Sequence, residues 1–594
     1  LVQNSFHFAG FALMCALLVP GFSKWSPGAG RIIDVALGII VALAAVWVIQ
    51  REQAIYDAGV RLATIDWVLG TIAILGAIEF TRRTTGLIIP ILILLALSYI
   101  VWWGAHIPGV FRFAGLSAET ILFRSIFGDE GLFGSIATIS STFVFMFILF
   151  GAFLLRSGAG QFVIDLARAV AGRFTGGPGL VAVFASSLTG TISGSAVANT
   201  ASTGVITIPL MKRAGFPPKF AAAVEASAST GGQLMPPIMG AGAFVMASYT
   251  QIPYTTIVAV SILPAVLYFA TVAFFVRIEA KRHNIGGGEM DTPKIGALMR
   301  QGGLSFLLPI AILIGCLIAG FTPTYAAGIS IISVVVASWL TPNRMGPMAI
   351  LEALALGAKN MIMTGVLLCA VGLVVNVIAT AGIGNTFSLM ISDWANGNLL
   401  IALVLIAIAS LVLGMGLPVT ASYIVLATLS APALYGMIAE SQVVSAVASG
   451  AVSDQARAIF MLAAPDRLDM IGQPMALEDA QALVAAIPSD MAGLVRDSLV
   501  SAEALGFALL AAHLIIFWLS QDSNVTPPVC LTAFTAAAIA KTPPMATGVT
   551  SWKVAKGLYI VPLLFAYTPL IGAPLHEALM ICAFALFGLY AFSA

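Results

Sequence analysis

The run Thr189-Gly190-Thr191-Ile192-Ser193-Gly194-Ser195 cuts an apolar stretch in two, with residues 180–188 before it and 196–210 after it. Each limb falls short of the roughly 20 residues that a helix needs to cross a bilayer. A hairpin that enters the membrane and returns accounts for this pattern, with its tip at Gly190 to Ser195. Further along, Ser229-Thr230-Gly231-Gly232-Gln233-Leu234-Met235-Pro236-Pro237 interrupts a second apolar run, between residues 221–228 and 238–248. The second half of the chain repeats the plan. Residues 399–413 are apolar, Gly414-Met415-Gly416-Leu417-Pro418-Val419-Thr420 forms a tip, and residues 421–434 return. A second break falls at Gln521-Asp522-Ser523-Asn524-Val525-Thr526-Pro527-Pro528. In each half a proline stands sixteen residues after the Pro–Pro pair, Pro253 in one and Pro544 in the other.

The rest of the chain sets the solvent for these segments. Of 594 residues, 60% are hydrophobic and 9% charged, and the mean hydropathy is +1.02. A soluble domain carries about 25% charged residues, so lipid surrounds most of this chain. The net charge of +1 argues against a nucleic-acid partner. The pattern predicts membrane helices near residues 6–20, 32–50, 66–80, 87–103, 136–155, 255–277, 304–320, 326–340, 361–381, 557–570 and 575–592. No charged region precedes residues 6–20, so they read as a membrane helix and not a leader. The five cysteines form no C-x-x-C pair and read as small buried hydrophobes.

Basic residues sort the loops. Arg82 with Arg83, Arg168 with Arg173, the Lys212–Arg213–Lys219 group, Lys281 with Arg282, Arg344 with Lys359, and Lys541 with Lys553 and Lys556 all fall inside on one consistent alternation. Residues 104–134 and the polar stretch 435–503 then lie outside. The polar stretch holds nine acids against three arginines, a net −6. It reads as a small helical cap, either a solvated insertion or a dock for a soluble partner. The first hairpin enters from inside and the second from outside. The expected fold is therefore all-α: a polytopic membrane protein with inverted repeats, two re-entrant hairpins and two broken helices.

Backbone freed at membrane depth persists only where protein or a water-filled cavity satisfies it. Each break offers a helix N-terminus for an anion and carbonyls that hold Na+. Gly190, Thr191, Ser193, Gly194, Ser195 and Asn199, with Gly414, Met415, Gly416, Pro418 and Thr420, are the candidate substrate-binding residues. Ser229, Thr230, Gly231, Gln233, Met235 and Pro236, with Ser523, Asn524, Thr526 and Pro527, are the candidate ion-binding residues. Asp522 joins this set, either as a cation ligand, as a proton-linked acid, or as a solvated or hydrogen-bonded side chain. Glu225 joins it too. It carries a proton, pairs with a lysine such as Lys219, or is solvated at the cytoplasmic end. His513 on an apolar helix reads as hydrogen-bonded across helices, and Glu79 with Arg82 and Arg83 as an interface pair.

From residue 176 to 249 the sequence resembles the large membrane subunit of TRAP (tripartite ATP-independent periplasmic) transporters. The likeness rests on G-T-I-S-G-S-A-V-A-N-T from Gly190, P-L-M-K-R-A-G-F-P-P-K-F from Pro209 and A-S-A-S-T-G-G-Q-L-M-P-P from Ala226. G-M-G-L-P-V-T-A-S-Y from Gly414 and V-T-P-P-V from Val525 agree. F-V-F-M-F-I-L-F-G-A-F-L-L-R-S-G-A-G-Q-F from Phe143 and E-F-T-R-R-T-T-G-L from Glu79 resemble the TAXI subclass, in which small and large subunits are usually fused.

This resemblance implies an elevator-type secondary transporter in the bacterial inner membrane, driven by a Na+ or H+ gradient, and the lack of an acid in both breaks favours Na+. It also implies a TAXI-type periplasmic substrate-binding protein as partner and a small organic anion (a dicarboxylate, keto acid or amino acid) as substrate. Two departures stand out. The 435–503 insertion is longer than the family's usual connection, and Asn524 occupies a position where TAXI members often carry an acid.

On this reading, residues 1–65 are small-subunit-like helices and 66–175 scaffold helices. Residues 176–277 form the first repeat core, 278–398 scaffold and arm helices, 399–434 the outer hairpin, 435–503 the acidic insertion, and 504–594 the second broken helix with the C-terminal spans. A stand-alone dicarboxylate–sodium symporter of the same architecture is the rival, and a channel or an intramembrane enzyme are more distant ones. No phosphate-binding P-loop, H-E-x-x-H or His/Cys cluster is present, so no nucleotide, organic cofactor or enzymatic step is expected. Gly286-Gly287-Gly288 reads as a loop.

Overall fold

The computed structural model describes residues 1–286, 293–463 and 470–594, and every regular element among them is a helix. Gly287 and Gly288 of the glycine loop lie outside the described residues, as do Asp466, Arg467 and Asp469 of the acidic insertion. Ten helices among the described residues are long and apolar enough to cross a membrane: Val2–Lys24, Ala29–Gln50, Thr64–Thr85, Ser135–Arg156, Tyr254–Arg282, Ile295–Ile318, Pro347–Ala381, Val419–Ala448, Ala502–Asn524 and Leu575–Ser593. Shorter apolar helices, Ile88–Val101 and Pro323–Ser338 among them, fill in around these.

Burial separates the middle from the rim. The most apolar window of the 35-residue helix Pro347–Ala381 is 89% buried, that of Leu575–Ser593 only 17%. A helix apolar on all sides belongs in an interior, and Pro347–Ala381 runs through the centre. Leu575–Ser593 instead turns Phe584 and Phe587 outward at the rim, as a lipid-facing helix does.

Two expectations are corrected by the structure. Residues 557–570 do not make a full span. They form the 11-residue helix Gly557–Tyr567, which stops where Thr568, the residue before Pro569, is forced into an extended conformation. The return limb of the second hairpin does not end at residue 434, because Val419–Ala448 continues helical for 30 residues. The insertion proper starts after Ala448. It is helical as expected, with Asp454–Ala463, Leu477–Ala485 and Ser489–Leu499 around a core of its own that includes Val447, Phe460, Leu483 and Val495. Shorter helices, Ala118–Phe127, Ala159–Ala171 and Ile383–Ala395, lie between the spans.

The first two helices are tied to Thr64–Thr85 at both ends. Asp34 accepts from the backbone N–H groups of Gly21, Phe22 and Ser23, each at 3.1 Å, which closes the turn after the first helix. The same carboxylate pairs with Arg83 at 2.9 Å, and both side chains are 1% exposed. At the opposite end Arg51 pairs with Asp66 at 2.9 Å. Glu79 lies 2.7 Å from both Arg82 and Arg83, so the expected interface pair is part of a larger network.

The two repeats interlock. Hairpin one consists of Gly177–Ser193 and Ala196–Arg213. Both limbs pack on Pro218–Gly231, the first half of the first broken helix, and the second limb also packs on Leu531–Ala540, the second half of the other broken helix. Hairpin two consists of Leu399–Gly414 and Val419–Ala448. Both limbs pack on Ala502–Leu519, the first half of the second broken helix, and Val419–Ala448 also packs on Ala241–Thr250, the second half of the first. Pro218–Gly231 lies beside Leu531–Ala540, and Ala241–Thr250 beside Ala502–Leu519. First half beside second half at each end means that the broken helices run antiparallel, the geometry of an inverted repeat.

Candidate functional site

The site lies where the two breaks cross. In hairpin one the first limb stays helical through Gly190, Thr191 and Ser193, so the tip is narrower than the expected Gly190–Ser195. Gly194 ends the limb with φ +60°, a conformation that favours glycine. Ser195 caps the return limb through the N–H of Ala198 at 3.4 Å. Gly190 remains helical because it packs directly on Gly232. A Cβ on Gly232 would stand 2.6 Å from the Gly190 Cα. The absence of side chains therefore serves close backbone approach between hairpin and break.

Neither break falls on the expected bounds: the α-helical gap is residues 232–240 in the first, three residues later than read, and 520–530 in the second, wider at both ends. Ser229, Thr230 and Gly231 end the helix Pro218–Gly231, a short 3-10 turn spans Gly232–Leu234, and the second half begins at Ala241, three residues later than expected. Met235 is extended and Pro236 lies in the turn that follows it, and the Tyr254 hydroxyl donates to the Pro237 carbonyl at 2.8 Å. In the other half a 3-10 turn covers Ser520–Asn524 and the helix resumes at Leu531. Pro527 lies in that gap. The Pro236–Pro237 and Pro527–Pro528 bonds are both cis.

A direct bond joins the breaks. The Asn524 amide donates to Gln233 Oε1 at 3.2 Å across 291 residues of sequence. Pro236 and Pro527 are separated by the same offset, so the two bonded residues occupy equivalent positions in the repeats. Gln233 in turn donates to the Gly194 carbonyl at 3.0 Å, which fastens this junction to the tip of hairpin one. Asn524 accepts from Thr532 at 3.1 Å. Hairpin two meets the junction at the equivalent break position, because Ser523 follows Gly232 by the same 291 residues. A Cβ on Gly414 would stand 2.9 Å from Asp522 Oδ1 and 3.1 Å from the Ser523 Cβ, as Gly190 meets Gly232 in the first repeat.

Several buried oxygens around this crossing have no hydrogen-bond partner: Thr189 Oγ1, Asn199 Oδ1 and Thr200 Oγ1 in the first repeat, and Ser410 Oγ, Ser422 Oγ and both carboxylate oxygens of Asp522 in the second. The Asn199 amide nitrogen is engaged, donating to the Ser186 carbonyl at 2.8 Å. An unpaired buried oxygen is costly, and a set of them is the donor chemistry that hard cations prefer. Asp522 is thus not solvated and accepts from no other side chain, the backbone N–H of Ser523 being the donor beside it.

The hydroxyls of other expected ligands are bonded to nearby partners. Thr191 donates to the Leu188 carbonyl at 2.7 Å and Thr230 to the Ala226 carbonyl at 2.8 Å, each along its own helix. Ser193 donates to the Ser195 carbonyl at 3.4 Å and Ser523 to the Ser520 carbonyl at 3.1 Å. Thr526 bonds the Tyr559 hydroxyl at 2.9 Å. Gly416 faces Ile88, where a Cβ would overlap the side chain, and so does not face the breaks. Met415 lies in the tip, Pro418 caps Val419–Ala448, and Thr420 sits in its first turn, half-buried.

Glu225 is fully buried in the helix Pro218–Gly231, held by hydroxyls of Ser186, Thr203, Thr207 and Ser229. It is neither solvated nor paired with Lys219, which is exposed. Sequence reading missed the hydroxyl partners. The spacing Asn199, Thr203, Thr207 was the available signal, since residues four apart share a helix face. His513 bonds the Tyr423 hydroxyl at 3.0 Å across two helices, as expected. Two clefts, of about 630 and about 700 Å³, lie elsewhere, along the C-terminal part of Val419–Ala448 and the insertion.

Antiparallel broken helices, each clasped by a hairpin and joined at equivalent residues, define a polytopic membrane protein with a two-fold internal repeat. A family model described as the tripartite ATP-independent periplasmic transporter, DctM component, matches residues 72–451, more than half of the chain. The chain belongs to this family of TRAP transporter large permeases. Among its relatives, the C4-dicarboxylate TRAP transporter large permease protein DctM of Pseudomonas aeruginosa is 31% identical over 31% of this chain and 43% of its own length. The protein of the same name in Vibrio cholerae is 29% identical over 43% of this chain and 58% of its own. The 2,3-diketo-L-gulonate TRAP transporter large permease protein YiaN of Escherichia coli is 29% identical over 31% of this chain and 43% of its own. The chain thus spans about half the length of these relatives.

Proposed function

We propose that this chain is the permease subunit of a cation-gradient-driven TRAP transporter of the TAXI type in the bacterial inner membrane. It takes up a small organic anion, a dicarboxylate, keto acid or amino acid, handed over by a periplasmic substrate-binding protein. The relatives named for C4-dicarboxylates and diketogulonate favour an acidic substrate class.

The observation that carries this reading is the crossing of the two breaks, joined by Gln233 and Asn524 and surrounded by unpartnered oxygens. Asp522, Ser410 and Ser422 in one repeat, and Asn199, Thr189 and Thr200 in the other, supply oxygens suited to Na+. The tips at Gly194–Ser195 and Met415–Pro418 present the N-termini of Ala196–Arg213 and Val419–Ala448 to the anion. Cations bound first offset the cost of placing that anion at membrane depth. The hairpins and broken helices move together as an elevator against the other helices, because the close Gly190–Gly232 and Gly414–Ser523 packing makes them one unit.

Uptake of radiolabelled dicarboxylates and keto acids into proteoliposomes tests this, with Na+ and pH gradients imposed separately and with or without the purified binding protein. Uptake that needs both a cation gradient and the binding protein supports the proposal. Uptake with the gradient alone favours a stand-alone dicarboxylate–sodium symporter.

A further inference from the structure

Each hairpin tip touches a helix outside the hairpins and broken helices, and the touching residues occupy matching places. Ile192 stands two residues beyond Gly190, and Gly416 two beyond Gly414. A Cβ on Gly151 would overlap the Ile192 carbonyl oxygen and stand 3.5 Å from Ile192 Cγ2, so the end of the first limb rests on a position without a side chain. A Cβ on Gly416 would overlap Ile88. Gly151 belongs to Ser135–Arg156, and Ile88 begins Ile88–Val101. Both helices pack on the central helix Pro347–Ala381.

Ser135–Arg156 is held firmly on the side of that central helix. Gly357 lies so close that a Cβ there would stand 2.7 Å from Leu149 Cδ1 and 3.4 Å from the Ala152 Cβ. Near its start the helix widens into a π turn over Ser140–Val144, a feature frequent at functional sites. This turn is tied to the first helix of the chain: Ser141 donates to Asn4 Oδ1 at 2.8 Å, and His7 Nε2 bonds the Ser140 hydroxyl at 3.0 Å. Phe143, Phe147 and Gly151 recur at intervals of four and share a face. Phe143 stacks on Phe244 of Ala241–Thr250 with ring centroids 6.0 Å apart, and Phe147 lies 4.8 Å from the same ring. Phe244 stacks in turn on Tyr254 at 4.6 Å, whose hydroxyl holds the Pro237 carbonyl of the first break. One stripe on a fixed helix therefore meets both hairpin one and the first broken helix.

We propose that Gly151 is a positioning residue for transport: the tip of hairpin one comes to rest on it at one end of its movement, with Phe143 and Phe147 receiving Phe244 alongside. This rests on the elevator reading above, in which hairpins and broken helices move as a unit. The two tips are seated differently. At Gly151 a backbone carbonyl meets backbone, and neither has a rotamer with which to give way. At Gly416 the opposing group is the Ile88 side chain, which changes rotamer. The seat of hairpin one is thus the rigid one and sets the end position. Alanine favours a helix more than glycine does. A defect caused by a methyl at position 151 therefore comes from the tip it displaces and not from the helix that carries it.

Double electron–electron resonance on the full chain in lipid tests this without substrate or binding protein. With the native cysteines replaced, spin labels are placed at Val205 on hairpin one and at Ile332 on Pro323–Ser338, which packs on Ser135–Arg156; both positions are exposed. Gly315→Val, where a Cβ meets nothing within 4 Å, is the control. The control chain should show two label separations, with Na+ altering their proportions. In Gly151→Val the population of the seated separation should fall about tenfold, and by less in Gly151→Ala. Both variants should keep the Na+-dependent rise in melting temperature, which shows that they are folded, and Gly151→Ala carries the test if Gly151→Val is not. In proteoliposomes the same variants should lose maximal uptake rate while the half-saturating Na+ concentration stays as in the control. Unchanged populations in the folded variants overturn the seat and leave the elevator reading standing. A single separation in every chain, with and without Na+, overturns the elevator reading and the seat with it.

Discussion

Asp522 brings a carboxylate into the protein interior with no side chain donating to either oxygen, and Gly414 packs against it. Burying an unpaired charge is expensive, so a bound cation stabilises this residue most. Na+ at about a hundred times its dissociation constant should stabilise the fold by about 2.7 kcal/mol, read as a rise in melting temperature. Asp522→Ala should abolish that rise, and Thr191→Val should keep it, because the Thr191 hydroxyl is spent on the Leu188 carbonyl. Potassium at the same ionic strength is the control. The glycines make a second prediction at this scale. Gly232→Ala forces a Cβ into the Gly190 backbone, and overpacking of this kind costs about 1–3 kcal/mol, measurable by thermal unfolding. The composition of the breaks revealed the glycines and prolines, but not which hydroxyls face inward. Thr191 and Thr230 have the residue type of a ligand and bond back to their own helices, and Gly416 has the residue type of a tip and faces Ile88. Those outcomes depend on helix rotation, which a short interrupted segment does not encode.

Among elements, the tie between the N-terminal pair and Thr64–Thr85 is the most exposed to a single change. Arg83 is buried, and Asp34 serves both as its partner and as the acceptor for three backbone N–H groups of the Gly21–Ser23 turn. Asp34→Ala leaves a buried guanidinium without that partner, a loss of about 3–5 kcal/mol, seen as lower thermal stability and protease cleavage near the turn. Asp34→Ala with Arg83→Met should recover part of the loss. This link was not visible in the sequence, because Asp34 and Arg83 are distant in the chain and Arg83 reads as a loop cation. Helix ends were legible only in part. Pro569 stopped Gly557–Tyr567 early, whereas Val419–Ala448 ran on to Ala448 because nothing in residues 435–448 breaks a helix. Apolar patterning finds where a helix can lie in lipid, and it carries little information about a helix that leaves lipid and continues in water.

At the scale of the molecule, two bodies can be separated by their cores. The insertion after Ala448 packs around Val447, Phe460, Leu483 and Val495, apart from the main membrane core. Replacing residues 453–500 with a short flexible linker should leave the purified protein with the same Na+-dependent gain in stability as the full chain, and loss of that gain would show that the insertion shapes the site. The inverted repeat itself was legible in the matched Pro–Pro pairs and following prolines. The exchange of second halves between hairpins was not, since it depends on how two half-helices pass each other in space. The account therefore rests on the crossing of the two breaks, and proximity labelling across it is the most direct test. With the native cysteines replaced, Gln233→Cys and Asn524→Cys are joined by a short bifunctional thiol reagent in native membranes, and the chain is then cut by protease in the insertion. The account predicts that the two fragments stay linked, with or without Na+. Fragments that separate fully, in a protein that still folds and reacts at both cysteines, would contradict it.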